Sequence, residues 1–302
     1  MPVNWFTTAL LSAALLGAVN IFDSHLITRR MPSLRAYMLP ISLLALCLGV
    51  IFLFLFPMPA GLGAGTLALA ITSAIIRSAS AYLLLVALKR EEVSRVIPVA
   101  STFPIFVALA AVPLLGETIT GLKWFAITIV VAGAVMVSLR ERPGRNLARL
   151  SPAFFQLIGS SLLMAAANVT SKDVLDRLSF WNLYAITVLC MGAMFLIISA
   201  RPAVLRELAA MPRKASSLAL VMANNLMVVA AMVAFFWSLE HGPASLVSTI
   251  TSSRPVFVFV YAFLISRFSP SFLEWQYGRR MLALRLLAIT MICGGIIIIY
   301  LP

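Results

Sequence analysis

Charge is what this sequence has least of. Asp, Glu, Lys and Arg make up 11% of its 302 residues, against about 25% in a soluble domain. Hydrophobic residues make up 62%, and mean hydropathy is +1.04. Such a chain cannot cover itself with polar surface, so a soluble globular protein is excluded. Acids are scarcer than bases, ten against 23, for a net charge of +13. That excess could suit nucleic acid, but the bases lie in short loops between apolar runs. This is the pattern of topology determinants in a bilayer, so no nucleic-acid partner is expected. The three cysteines, Cys47, Cys190 and Cys293, lie far apart in apolar runs, with neither metal spacing nor a disulfide framework. They read as small hydrophobes. The two histidines, His25 and His241, stand alone, and no H-E-x-x-H or G-x-S-x-G motif occurs. No metal, cofactor or enzymatic activity is expected. The opening MPVNWF lacks the basic stretch of a cleaved signal peptide.

What the chain has in abundance is long apolar runs. A membrane helix needs roughly 20 such residues. Ten runs qualify, near 5–27, 36–56, 66–88, 96–115, 122–139, 153–171, 180–200, 216–238, 244–265 and 284–301. The expected fold is an all-α membrane protein of ten transmembrane helices. Eighteen of the 23 basic residues fall in the loops after the odd-numbered spans. Lys and Arg collect on the cytoplasmic side, so both termini are expected on the non-cytoplasmic side of the cell membrane.

The two halves resemble each other. Shifted by 151 residues, 87–106 lies on 238–257, pairing Leu88 with Leu239, Ser94 with Ser245 and Pro104 with Pro255. AITIVVAG at 126–133 matches AITMICGG at 288–295 with a shift of 162, and GAVN at 17–20 matches AAAN at 165–168 with a shift of 148. Two five-helix units are expected, 1–145 and 146–302, the second with an interfacial insert near 268–285. Five is odd, so the second unit crosses the membrane in the opposite sense. Inverted repeats of this kind are a transporter architecture, with the site near the midplane between them.

With these features the chain resembles the drug/metabolite transporter superfamily, in its ten-helix EamA-type branch. The likeness rests on the duplicated unit, the asparagines of spans 1 and 6, the prolines of spans 4 and 9, and the stretch LLGETITGLKWFAITIVVAGAVMV at 114–137. It covers nearly the whole chain and implies a transporter without fixing its substrate. The second half has no glutamate matching Glu117; Ser266, Arg267 and Phe268 occupy that region. No carboxylate stands in the middle of spans 1 and 6, unlike the small multidrug relatives, which argues against proton-coupled export of cationic drugs.

Lys123, Lys172 and Arg177 fall in the even-numbered loops, and the last two basic residues, Arg77 and Arg254, lie inside spans. Intramembrane charges face the bundle or a wet cavity and mark functional sites by default. Helical spacing sets Ser73, Arg77 and Ser80 on one face of span 3, and Thr251, Arg254 and Tyr261 on one face of span 9. Arginine stays charged and offers a rigid fork to carboxylate or phosphate. The plainer alternative is an arginine that only fixes packing. Asn20, Asn168 and Asn224 are further candidate substrate ligands, with interhelical hydrogen bonding as the plainer reading. Asp23 and Asp173 stand near span ends. They read as solvated end charges, or as gating or coupling carboxylates. Pro104 and Pro255 are expected to bend their helices beside the cavity.

The function expected is secondary transport of a small polar metabolite, anionic or zwitterionic, by alternating access between the repeats. A flippase for a lipid-linked sugar or phosphate is the alternative. The expected partners are a small-molecule substrate, the lipid bilayer and a coupling ion.

Overall fold

A computed structural model describes residues 4–90, 93–137, 152–268 and 279–300. The boundary between the halves at 145/146 and residues 269–278 of the interfacial insert lie outside these. All regular structure among the described residues is helical: α1 (Trp5–His25), α2 (Leu34–Leu55), α3 (Ala64–Arg90), α4 (Val93–Ala100), α5 (Phe103–Leu115), α6 (Gly121–Val137), α7 (Pro152–Leu175), α8 (Phe180–Ser199), α9 (Pro202–Ala209), α10 (Lys214–His241), α11 (Ala244–Thr251), α12 (Arg254–Phe268) and α13 (Arg279–Tyr300). Among the described residues six stretches are long and apolar enough to cross a bilayer: Trp5–Arg30, Leu34–Leu55, Ala64–Arg90, Phe180–Ser199, Lys214–His241 and Ala244–Leu264. Shorter apolar helices cover Phe103–Leu115, Gly121–Met136 and Leu286–Ile299. The outer surface is greasy, with Phe54 84% and Ile197 80% exposed. The interior is lined by small residues and hydroxyls, among them Ser12, Ser42, Ser78 and Ser80. This arrangement suits a protein whose solvent is lipid.

Local sequence explains the helix ends. The Ser33 hydroxyl accepts from the Ala36 amide at 3.1 Å to start α2, and the Ser179 hydroxyl accepts from the Asn182 amide at 3.4 Å to start α8. α5 closes at Gly116, whose left-handed φ of 65° favours glycine. α1 does not stop at the expected end. A π-helical turn over Leu26–Arg30 carries it further.

Spans 4 and 9 are not bent helices but broken ones. α4 ends at Ala100 and α5 begins at Phe103; α11 ends at Thr251 and α12 begins at Arg254. The breaks, at Ser101–Thr102 and Ser252–Ser253, are 151 residues apart, the spacing that pairs Pro104 with Pro255. Each proline is the second residue of the new helix. There its missing N–H costs no bond within the new helix and its fixed φ suits the first turn. The hydroxyls at the breaks correspond too. Thr102 donates to the Val99 carbonyl at 2.7 Å, and Ser253 donates to the Ile250 carbonyl at 2.7 Å.

Contacts between the halves are reciprocal, as in a two-fold pair. A Cβ at Gly133 on α6 would lie 2.8 Å from the Ala288 carbonyl oxygen and from Ile292 Cγ1 on α13; one at Gly295 would lie 3.0 Å from the Ala126 carbonyl oxygen and 2.6 Å from Val130 Cγ2. The shift of 162 maps each contact onto the other. In the same way Gly49 on α2 sits against Leu189, and Gly192 on α8 sits against Leu46. The α1–α10 and α7–α3 pairs share one hydrogen bond: Ser12 donates to the Ala231 carbonyl at 2.9 Å, and its counterpart Ser160 donates to the Ser80 carbonyl at 2.9 Å. The halves interlock rather than sit side by side. Lipid supplies no hydrophobic drive between helices, so close approach at small residues must hold them.

Gly133→Leu and Gly295→Leu should each lower stability in detergent by about 1–3 kcal/mol through overpacking. Gly294→Leu brings the same gain in helix propensity, but its Cβ meets nothing within 4 Å, so it should stay close to wild type. Thermal unfolding of the purified variants measures this.

Candidate functional site

Arg77, in the middle of α3, is 7% exposed. Its Nη2 donates to Asn168 Oδ1 at 3.0 Å and to Ser171 Oγ at 3.1 Å, and its Nη1 reaches Met164 Sδ at 3.6 Å. All three partners lie on α7. The guanidinium carbon lies 5.2 Å and 4.8 Å from the ring centroids of Phe235 and Phe236 on α10, within cation–π range. The bonds continue in an ordered chain. Ser73 donates to the Ala167 carbonyl at 3.1 Å, which leaves Ser171 as the donor to Ser73 at 2.8 Å. Asn168 uses its Nδ2 to reach Ser248 Oγ on α11 at 3.0 Å. The Arg77 Nε–H is buried with no hydrogen-bond partner. The groups in contact with this cation are all neutral: a hydroxyl, an amide, a thioether and two rings.

Arg254 opens α12 and is half-buried. Pro255 cannot donate to the Thr251 carbonyl four residues back, and the Arg254 Nε donates there instead, at 3.1 Å. Its guanidinium carbon lies 5.9 Å from the ring centroid of Phe103, the residue 151 positions earlier. The two broken helices thus meet through matched residues. A small cavity opens at this crossing, walled by Asn20, Leu84, Ile97, Ala100, Ser101, Phe103 and Arg254. It leaves ≈ 20 Å³ open to a water centre, room for about one water. α1 reaches the crossing at Gly17, where a Cβ would come 2.8 Å from Phe257 Cβ and 3.3 Å from the Arg254 carbonyl oxygen.

Asp23 differs from a solvated end charge. The π-helical turn beyond it extends the span to Arg30, so Asp23 stands about two helical turns before the end of the span. Its Oδ1 accepts from the Tyr37 hydroxyl of α2 at 2.5 Å and from Asn224 Nδ2 of α10 at 2.6 Å; Asn224 Nδ2 also donates to the Tyr37 oxygen at 3.2 Å. The Asn224 Oδ1 is buried without a partner.

The expected residues therefore separate into three places. Arg77, Asn168 and Ser73 share one network; Arg254 and Asn20 share the cavity wall; Asn224 joins Asp23. Ser80 is tied to Ser160, through the carbonyl at 2.8 Å and the hydroxyl at 3.0 Å. Thr251 does not share a continuous face with Arg254, because the break falls between them. Its hydroxyl turns back to the Val247 carbonyl at 2.5 Å. Tyr261 packs on Phe257 with ring centroids 6.3 Å apart. Asp173 is half-buried in the last turn of α7. Beside it Lys172 caps the end of α10, donating to the Leu239 and Glu240 carbonyls at 3.0 Å each. The three cysteines are free thiols.

Sequence reasoning left Tyr37, Ser248, Phe235 and Phe236 out of the site, since aromatic and hydroxyl residues in apolar runs carry no signal of their own. The partner of Glu117 was equally hidden. Its carboxylate accepts from the Ala244 amide at 2.5 Å, the Ser245 amide at 3.2 Å and the Ser245 hydroxyl at 2.5 Å. It caps the N-terminus of α11, where unpaired amides and the helix dipole favour an anion, and pins the first half to the second.

Helices with lipid-compatible surfaces, joined as reciprocal halves around a polar interior, define a multi-pass membrane protein with an internal repeat. The chain matches the EamA-like transporter family over residues 3–139 and again over 151–301, and it belongs to that family. It is therefore a membrane transporter of the drug/metabolite type, in a family whose members are transporters rather than enzymes. No curated protein matches it. One crystal structure of a protein, 15% identical, aligns over 97% of this chain and 94% of its own with a TM-score of 0.69, a likeness of fold alone.

Glu117→Ala leaves the α11 amides unpaired and should cost about 1–3 kcal/mol. Glu117→Gln, which still offers an acceptor, should cost less. Chemical or thermal denaturation of the two variants against wild type measures the difference.

Proposed function

We propose that this protein is a secondary transporter for a small anionic or zwitterionic metabolite, with Arg77 and Arg254 as its anion-recognising residues. The observation that carries the reading is the Arg77 guanidinium, buried among neutral groups with one N–H unpartnered. An ion-paired arginine fixing two helices would have a carboxylate against it. Here the positive charge remains for a ligand, and the guanidinium fork suits carboxylate or phosphate. Arg254 brings a second guanidinium to the crossing of the broken helices. Asn168, Ser73 and Ser248 supply neutral donors and acceptors in the Arg77 network, and Asn20 lines the cavity beside Arg254. Asp173 joins no part of this arrangement.

The chain, on this reading, crosses the cell membrane ten times as two five-helix units of opposite sense, with both termini on the non-cytoplasmic side. The breaks in spans 4 and 9 bring irregular backbone to the centre, where transporters place their substrate. Alternating access follows from rocking of one unit against the other.

The test is a thermal-shift screen of the detergent-purified protein against soluble carboxylates, phosphates, amino acids, neutral sugars and organic cations. Anions or amino acids should raise the melting temperature by mass action. Arg77→Met and Arg254→Met should each abolish the rise while retaining the fold. Stabilisation by neutral sugars or cations, equal in wild type and both variants, would remove the anion reading. Stabilisation by phospholipid or polyprenyl phosphate alone would point to the flippase.

A further inference from the structure

The shifts that align the halves place two polar contacts in correspondence. Asp23 on α1 corresponds to Ser171 on α7, and Ser73 on α3 corresponds to Asn224 on α10. The Ser73–Ser171 bond and the Asn224–Asp23 bond are therefore the same inter-half contact, made twice. Their surroundings have diverged. The α3–α7 clasp holds a cation, Arg77, and contains a buried donor without an acceptor, the Arg77 Nε–H. The α1–α10 clasp holds an acid, Asp23, and contains a buried acceptor without a donor, the Asn224 Oδ1. Buried unpaired groups are rare and call for a cause. An orphaned donor suits an anion. An orphaned acceptor beside a carboxylate suits an added proton.

We propose that Asp23 is a proton-binding site whose protonation releases the α1–α10 clasp, in alternation with the Arg77 clasp between α3 and α7. This rests on the carrier reading given above. The ionised carboxylate draws both donors, Tyr37 and Asn224, onto one oxygen and so ties α1, α2 and α10. A proton taken from water neutralises Asp23, and charge-assisted bonds lose about half their strength when the charge is gone. The opened clasp exposes Asn224 Oδ1 to the donor it lacks. In the orientation set by the loop charges, Asp23 lies toward the cytoplasmic end of α1 and Ser171 toward the opposite end of α7. A proton on one clasp and an anion on the other bias opposite sides of one rocking motion, and the anion's charge and the proton's cancel. The titratable group against Asp23 is Tyr37. His25 ends α1 and Arg29 and Arg30 follow on the π-helical turn, Arg35 on α2 is exposed, and Arg254 on α12 lines the cavity. α10 carries no ionisable residue between Lys214 and Glu240, and α11 carries none. Arg95 belongs to α4, and its side chain lies outside the described residues.

The test uses the full chain in detergent with its native cysteines replaced by serine. Single reporter cysteines go at Val221→Cys and Ala70→Cys, buried positions three residues before Asn224 and Ser73 and themselves 151 apart. Alkylation rates are compared with the same reporter carrying Asp23→Asn at each pH, which cancels the thiol's own ionisation. Going from about pH 8 to about pH 5 should raise the Val221→Cys rate at least about fivefold, the lower end of ordinary coupling, and lower the Ala70→Cys rate. Tyr37→Phe, which keeps the acid and removes one donor, should retain the response with a shifted midpoint. A Val221→Cys ratio independent of pH overturns the proposal, as does a rise at both reporters together or a response to sodium instead of acid. The screen with anions is independent of these rates. Loss of anion stabilisation there with the pH response intact removes the anion reading and leaves the proton site standing; the converse result removes the proton site alone.

Discussion

Where α4 gives way to α5 and α11 to α12, carbonyls are released from the helical ladder, and in a bilayer core they must find partners within the protein. That requirement shapes the centre of the molecule. The hydroxyls of Thr102 and Ser253 each fold back on a carbonyl three residues earlier. The carbonyl that Pro255 leaves unpaired is taken by Arg254. The second case matters more, because it sets a charge at the break and fixes its direction. Arg254 is thus both a repair of the backbone and a wall of the small cavity at the crossing. A guanidinium can serve both ends at once, since one N–H is spent on the carbonyl and the planar group remains charged.

Contacts between the halves are of two kinds. α6–α13 and α2–α8 meet through glycines, and the directed bond nearest them, from Asn182 Nδ2 of α8 to the Phe56 carbonyl at 2.6 Å, falls just past the end of α2. α1–α10 and α3–α7 meet through hydroxyls, amides and charges. The first kind depends on shape and tolerates no added atom at Gly133, Gly192 or Gly295. The second depends on directed bonds that number few, and interhelical hydrogen bonds in a membrane average roughly 0.6 kcal/mol. Close packing therefore holds the halves together, while the polar clasps add geometry and charge more than strength. Glu117 stands apart as a charged clamp with three donors on one carboxylate, and its lack of a counterpart in the second half makes the two ends of the repeat unequal.

Much of this was legible in the sequence. Composition fixed the bilayer as solvent, the spacing of apolar runs located the helices, and the shifts of 148, 151 and 162 map one half's contacts onto the other's. Periodicity failed at span 9, because Thr251, Arg254 and Tyr261 share a face only on an unbroken helix. Proline announced an irregularity but not its form: a bend and a fresh helix start need the same residue. Asp23 was misplaced for a different reason. The polar run after it resembles a loop, yet Leu26–Arg30 continues as a π-helical turn with Leu26 and Ile27 buried. Tyr37 could not be found at all, since a single hydroxyl fourteen residues away has no signature until two helices cross.

Repetition and divergence carry different information here. The Ser12–Ala231 and Ser160–Ser80 bonds agree in donor type, acceptor type and length, as befits contacts that only hold helices. Asp23–Asn224 and Ser171–Ser73 agree in place and differ in charge. A structural tie gains nothing from a buried charge: membrane insertion of one Arg or Asp costs about 2.5–3.5 kcal/mol at a helix centre, more than the bonds it makes return. Two hydroxyls would join α1 to α10 as well as they join α7 to α3. The acid at one copy and the guanidinium beside the other are thus excess over what packing requires, and the proposed anion and proton sites rest on that excess.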